Sequence, residues 1–185
     1  MKSIEKYAIG KLSKEIAEIE KSKRNTETPE LNVYEKALIY KYSENGYQLV
    51  NENLRKSKGK KFDVFGKLLD QTLEKLPNFD GLVYRSANLT NHELRRYNDT
   101  IAKNDLLKEY SFTSTSKSRL LAMAFKGNTL FRIYSRTGKE IEKIAKFGEN
   151  GIINEKEVLF SPNKNFRVLE ITKEINFTLI TMEEI

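Results

Sequence analysis

Up to about residue 80 the apolar positions recur at helical spacing; beyond it they fall into short alternating or continuous runs. Ile4, Ala8, Leu12, Ile16 and Ile19 form one stripe and predict a helix over residues 3–22. The polar stretch from Lys23 to Glu30, with Pro29 inside it, predicts a linker or loop. Asn32 is placed to cap a helix through Tyr34, Leu38 and Tyr42, and Ser43 to open the next, which holds Tyr47, Leu49, Val50 and Leu54. Phe62, Phe65, Leu68, Leu69, Leu73 and Leu76 trace a further helix that Pro77 stops.

The texture then changes. Gly81 to Ser86 is a short strand with a polar end, residues 91–98 suit a short helix, and Tyr110 to Ser116 alternates as a strand. Leu120 to Phe125 suits one or two helical turns, and strands follow at 129–134, 156–160, 166–175 and 177–182. Helices first and strands later predict an α+β fold rather than a parallel α/β one. Neither G-x-G-x-x-G nor a P-loop occurs, which excludes a Rossmann or Walker site.

Composition narrows the chemistry. Lys and Arg exceed Asp and Glu by 33 to 26, a formal charge of +7, which favours an acidic partner. The basic residues are scattered, however, with no RRM-type aromatic motif or recognition helix, which speaks against nucleic acid. There is no cysteine and one histidine, His92, so disulfides, thiolate nucleophiles, zinc–thiolate sites and Ser-His chemistry fall away. Ten Phe and nine Tyr still supply a core. The start of the chain lacks the apolar region of a signal peptide, and no segment is apolar for long enough to span a bilayer.

Three segments carry candidate chemistry: Arg85-Ser86 at the end of an apolar strand, Ser114-Thr115-Ser116 followed by a short helix, and Glu155-Lys156-Glu157 opening a strand. Glu18-Ile19-Glu20 has the same spacing but lies on a helical face; Glu140-Ile141-Glu142, near a strand, is a closer rival to Glu155/Glu157. In this order the segments resemble the arginine-specific mono-ADP-ribosyltransferases, whose signature is Arg, then Ser-Thr-Ser, then Glu-x-Glu, and which include actin-modifying bacterial toxins. The resemblance runs over residues 33–182 and takes in Tyr42, Tyr47, Asn51 and Leu54, the Ala122/Phe125 turn, and a loop from Phe147 to Gly151 ahead of the later acidic pair. Ser86 stands where relatives often have Gly.

The resemblance implies N-terminal helices packed on a mixed, mainly antiparallel two-sheet β core, with residues 1–30 a helix and linker and 31–185 the transferase domain. It implies NAD as substrate, no metal, and transfer of ADP-ribose to an arginine of a target protein, actin or another acidic protein being candidates. Arg85, a planar and permanently charged fork, would hold phosphate oxygens. Glu157 would stabilise the oxocarbenium-like ribose as nicotinamide leaves, with Ser114 fixing its rotamer. Glu155 would orient and deprotonate the incoming guanidinium; in an extended strand it would share a face with Glu157. Ser86, Thr115, Ser116, Arg119 and Phe125 complete the expected NAD contacts, and the loop from Glu140 to Asn154 would select the target. A secreted toxin or effector without a signal peptide, contributing to virulence in a target-cell cytoplasm, fits this reading. Three alternatives stay open: an NAD glycohydrolase with the same site, a basic nucleic-acid module, and a non-catalytic relative serving as an interaction domain.

Overall fold

The computed structural model describes residues 3–185, which divide into two compact units. One takes the chain up to Pro77 together with Lys139–Glu157; the other takes Asn78–Gly138 with Val158–Ile185. Residue 30 lies inside the first unit.

Helices build the first unit. The expected helix over residues 3–22 is two, α1 (Ser3–Lys11) and α2 (Ser13–Glu20), because Leu12 leaves helical geometry at φ −127° and ψ 31°. The break keeps Ala8, Leu12 and Ile19 buried. The loop after α2 contains a 3-10 turn, Lys23–Asn25, with Arg24 buried. Next comes α3 (Val33–Lys41), opened by a capping box in which Asn32 accepts from Glu35 N–H and the Glu35 carboxylate accepts from Asn32 N–H. Both α1 and α2 pack on α3, as does α5 (Val64–Leu73), which Asp63 caps by accepting from Gly66 N–H at 2.7 Å.

Ser43 does not open a helix. Residues Tyr42–Gly46 form a π-helical turn that runs into α4 (Tyr47–Lys56) without a side-chain cap. The Ser43 hydroxyl instead donates to the Tyr40 carbonyl at 3.0 Å and accepts from Lys146 N–H at 2.7 Å. A local cap has been exchanged for an anchor on a segment a hundred residues away.

Strands build the second unit: β1 (Asn78–Ala87), β2 (Leu107–Glu109), β3 (Thr113–Ser116), β4 (Thr129–Glu140), β5 (Glu157–Phe160), β6 (Lys164–Lys173) and β7 (Thr178–Glu184). Their hydrogen-bonded order is β1-β3-β5-β4-β7-β6-β2, with β1 also pairing with β4. The expected two groups of strands are thus continuous through β4. β1/β3, β2/β6 and β6/β7 are antiparallel and β4/β7 is parallel, so the mixed, mainly antiparallel α+β core is observed. The strand expected over 110–116 is shorter, since residues 110–112 link β2 to β3. Helix α6 (Asn91–Ala102), opened by a second capping box at Thr90, packs on β6. The core it helps close contains Val83, Tyr97, Phe131, Ile133, Val158, Phe160, Phe166, Ile180 and Met182, with Phe160 and Phe166 edge to face at 5.5 Å.

Candidate active site

The second unit positions Arg85, Ser86 and the Ser-Thr-Ser segment. Tyr84 on β1 pairs with Ser116 on β3, which sets the two motif strands side by side. Arg85 Nη1 donates to the Ser114 carbonyl at 2.7 Å, so one arm of the guanidinium is fixed and the rest of the fork stays half-exposed. That arrangement suits bidentate phosphate recognition, because rotamer freedom is removed before any ligand arrives. Thr115 is buried and donates to the Val158 carbonyl at 2.7 Å, tying β3 to β5 one residue beyond Glu157. Ser116 Oγ accepts from Ser118 N–H at 3.0 Å and so shapes the turn into α7 (Arg119–Met123), which packs against β1 and β3. Arg119 and Phe125, at the start of α7 and just past its end, are exposed.

Ser86 has a reason to be Ser. Its Oγ accepts from Gly127 N–H at 2.8 Å, joining the end of β1 to the chain leaving α7. A Cβ on Gly127 would lie 2.5 Å from the Ala87 carbonyl oxygen, so glycine is required there by the close approach. Asn128 finishes the join: its amide accepts from Leu89 N–H and donates to the Leu89 carbonyl, each at 2.9 Å. Sequence reasoning missed this pair, although Gly-Asn before an apolar strand was a signal for a specialised turn.

The first unit positions the acidic pair. Glu157 opens β5 and is 4% exposed, while Glu155 is half-buried and burial pushes its carboxyl above the usual range. The expectation that both share the face of one extended strand does not hold, because β5 begins only at Glu157 and Lys156 between them has φ 51°, in the left-handed region. Asn154 supports that conformation by accepting from Lys156 N–H at 2.8 Å. Both glutamates hang from the preceding loop. Ile141 N–H donates to the Glu157 carbonyl at 3.1 Å, and Glu155 N–H donates to the Phe147 carbonyl at 2.9 Å. The rival pair is built into the base of that loop: Glu140 ends β4, and buried Glu142 accepts through its carbonyl from Glu149 N–H at 2.8 Å.

A further polar group belongs to this unit. Asn51 is 7% exposed, donates to Tyr42 Oη at 3.2 Å, and keeps a buried amide oxygen without a partner. A buried unpaired acceptor costs about 1–3 kcal/mol, which makes it a candidate ligand contact. Tyr42 opens the π-helical turn and Asn51 lies in α4 just beyond it, and such turns recur at functional sites. Its sequence signal was an Asn inside the buried stripe Val50–Leu54. Among the described residues no group of three or more His, Asp and Glu could hold a metal ion, and no helix is long and apolar enough to cross a membrane.

Solved structures place this architecture among the ADP-ribosyltransferases. HopU1 of Pseudomonas syringae superposes with a TM-score of 0.76 at 18% identity, covering 94% of this chain and 87% of that one. Vis of Vibrio splendidus, solved in complex with agmatine, gives 0.68 at 24% identity over 94% and 86% of the two chains. Residues 5–185 match the family described as NAD:arginine ADP-ribosyltransferase, and the chain belongs to that family. Mav of Mycobacterium avium strain 104, named as an NAD(+)–arginine ADP-ribosyltransferase, is 34% identical over 157 residues, 80% of this chain. Vis is 28% identical over 169 residues, 82% of this chain. The chain spans 18% of the length of Mav and 64% of that of Vis.

Proposed function

We propose that the protein is a mono-ADP-ribosyltransferase that cleaves the nicotinamide–ribose bond of NAD and joins C1′ of the ribose to a guanidino nitrogen of an arginine in a target protein. The observation that carries this reading is the Arg85 fork held on the Ser114 carbonyl in a chain whose buried Glu157 opens β5. The anchored guanidinium grips the pyrophosphate, and the Asn51 amide oxygen accepts from a polar group of the dinucleotide. Glu157 accepts from the ribose 2′-hydroxyl and opposes the positive charge that grows at C1′ as the bonding pair leaves with nicotinamide. Ser114 holds Glu157 in its rotamer, and Thr115, Ser116 and Ser86 keep the supporting strands and turn in place. Glu155 orients the target guanidinium and takes its proton as the new C–N bond forms. Arg119 and Phe125 supply outer contacts to the dinucleotide.

The formal charge of +7 supports an acidic protein target, and the likeness to Vis, whose solved structure is called that of a toxin, supports a toxin or effector role. Glu140–Asn154 is the segment that selects the target, and actin is one acidic candidate. Export to a target-cell cytoplasm and a part in virulence complete the reading. The alternatives become outcomes of one assay on the purified protein and its Glu157→Ala variant, with labelled NAD and with or without agmatine as an arginine mimic. The transferase reading expects nicotinamide release and agmatine labelling, both lowered at least about 100-fold in the variant. Release without labelling of agmatine or of protein targets makes it a glycohydrolase; no release at all makes it an interaction domain.

A further inference from the structure

Arg24 is a buried charge with an uncommon set of partners. It lies in the 3-10 turn after α2 and is 5% exposed, with Glu18 and Glu27 opposing its charge electrostatically. Its Nε donates to the Ile144 carbonyl at 3.0 Å and its Nη2 to the Ala145 carbonyl at 3.1 Å, with the Lys146 carbonyl at 3.4 Å. The guanidinium stacks 5.2 Å from the centroid of the Tyr40 ring, and the Lys146 ammonium lies 5.2 Å from the same ring. Burial lowers the Arg24 pKa, but an arginine remains charged at physiological pH. Burying a guanidinium on three neutral carbonyls is costly in desolvation, and the structure bears that cost where the chain turns toward the acidic pair.

The last of these three residues is held a second time: Ser43 Oγ accepts from Lys146 N–H at 2.7 Å, and Lys146 Nζ lies 3.6 Å from the Glu44 carboxylate. The next residue, Phe147, gives its carbonyl to Glu155 N–H at 2.9 Å. An unbroken path of short contacts thus runs from Arg24 through residues 144–147 to the backbone of Glu155. Lysine could not reproduce it, since a single ammonium cannot span the carbonyls that the planar fork reaches.

We propose that Arg24 is a positioning residue for the acceptor half of the reaction, setting the place of Glu155 through the Ile144–Phe147 segment. The inference rests on the transferase reading and assigns the N-terminal segment a role in handling the target arginine. Losing Arg24 lets the loop shift, and a displacement on the order of 1 Å is enough to cost a reacting group up to about 100-fold. The cost falls on transfer, because Glu155 meets the acceptor, more than on cleavage of NAD.

The test uses the full chain, with steady-state transfer to agmatine and nicotinamide release without acceptor measured side by side. Arg24→Ala is expected to lower kcat/KM for agmatine by about tenfold more than it lowers nicotinamide release. Arg24→Lys is expected to restore less than half of that loss, and Ser43→Ala, a milder removal of the second anchor, to show the same split to a smaller degree. In a Glu155→Ala background Arg24→Ala should have no further effect on the ratio of transfer to release, since both changes act on one group. Equal losses in both activities, an unchanged ratio in both Arg24→Ala and Ser43→Ala, or full additivity with Glu155→Ala would overturn the proposal. Wild-type protein that neither releases nicotinamide nor labels agmatine overturns the transferase reading itself, and this inference with it. An intact transferase with an unmoved ratio overturns the inference alone.

Discussion

Between Glu155 and Glu157, Lys156 holds φ 51°, a conformation that costs an L-residue on the order of 1–2 kcal/mol. Its effect is to turn Glu155 off the line of β5, half-buried and with its carboxyl pKa raised by burial, while Glu157 stays in the strand. A raised pKa means that the protonated form of Glu155 fits the fold better than the ionised form. Its favourable contribution to stability is therefore complete below the unfolded-state pKa of about 4.3 and is lost as pH rises through the higher folded-state value. Glu155→Gln removes that loss, so its melting temperature should exceed that of wild type at neutral pH and match it near about pH 4. Activity runs the other way. In the proposed role Glu155 accepts a proton only when ionised, so agmatine transfer by wild type should climb with pH through the raised pKa, whereas nicotinamide release without acceptor should not follow it. A transfer profile parallel to that for release would remove Glu155 from the acceptor step.

At the scale of elements, the motif residues are held by the pieces just after them. The end of β1 is fastened through Ser86 Oγ to Gly127 N–H, and the 2.5 Å approach of a Gly127 Cβ to the Ala87 carbonyl leaves no room for a methyl group. Gly127→Ala should therefore cost about 1–3 kcal/mol in thermal or denaturant unfolding and raise KM for NAD, because Arg85 shares the displaced strand end. Gly10→Ala is the control: an added Cβ there meets nothing within 4 Å, and its position in α1 favours alanine, so unchanged or higher stability is expected. Equal destabilisation by both would show that the close approach is not what Gly127 supplies. Much of this element level was legible beforehand. Apolar period located α3, α5 and the later strands, and the order of Arg85, Ser114 and Glu157 pointed to the family. What was not legible depends on contacts distant in sequence. Ser43 looked like a cap because Ser is a good one, yet its partner is Lys146. The extended reading of residues 155–157 rested on strand alternation, which one left-handed residue cancels. Arg24 sat in a polar stretch where a solvated side chain is the ordinary expectation, and only the fold brings carbonyls 120 residues away to it.

For the molecule as a whole, the chain contributes to its first unit twice, up to Pro77 and again over Lys139–Glu157. The later segment is mostly irregular, so its order depends on what the earlier helices offer it: the Ser43 hydroxyl, the Arg24 fork, and Glu27, whose carboxylate accepts from the Asn150 amide at 2.9 Å. Two of these three groups lie within the first 30 residues, in the same compact unit as Glu155 and Glu157. Removing residues 1–30 would also take Leu12 and Ile19 out of the core, a loss of about 3–6 kcal/mol against a typical total of about 5–15. The expected outcome for residues 31–185 is a melting temperature lowered by more than about 10 °C or a failure to accumulate in soluble form, read by thermal denaturation of the two proteins side by side. A truncated protein that melts with the full chain and keeps its ratio of agmatine transfer to nicotinamide release would show that the loop organises itself. The burial of Arg24 on backbone carbonyls argues for the opposite result, since a guanidinium is desolvated at such expense only where the loop it grips cannot hold its shape alone.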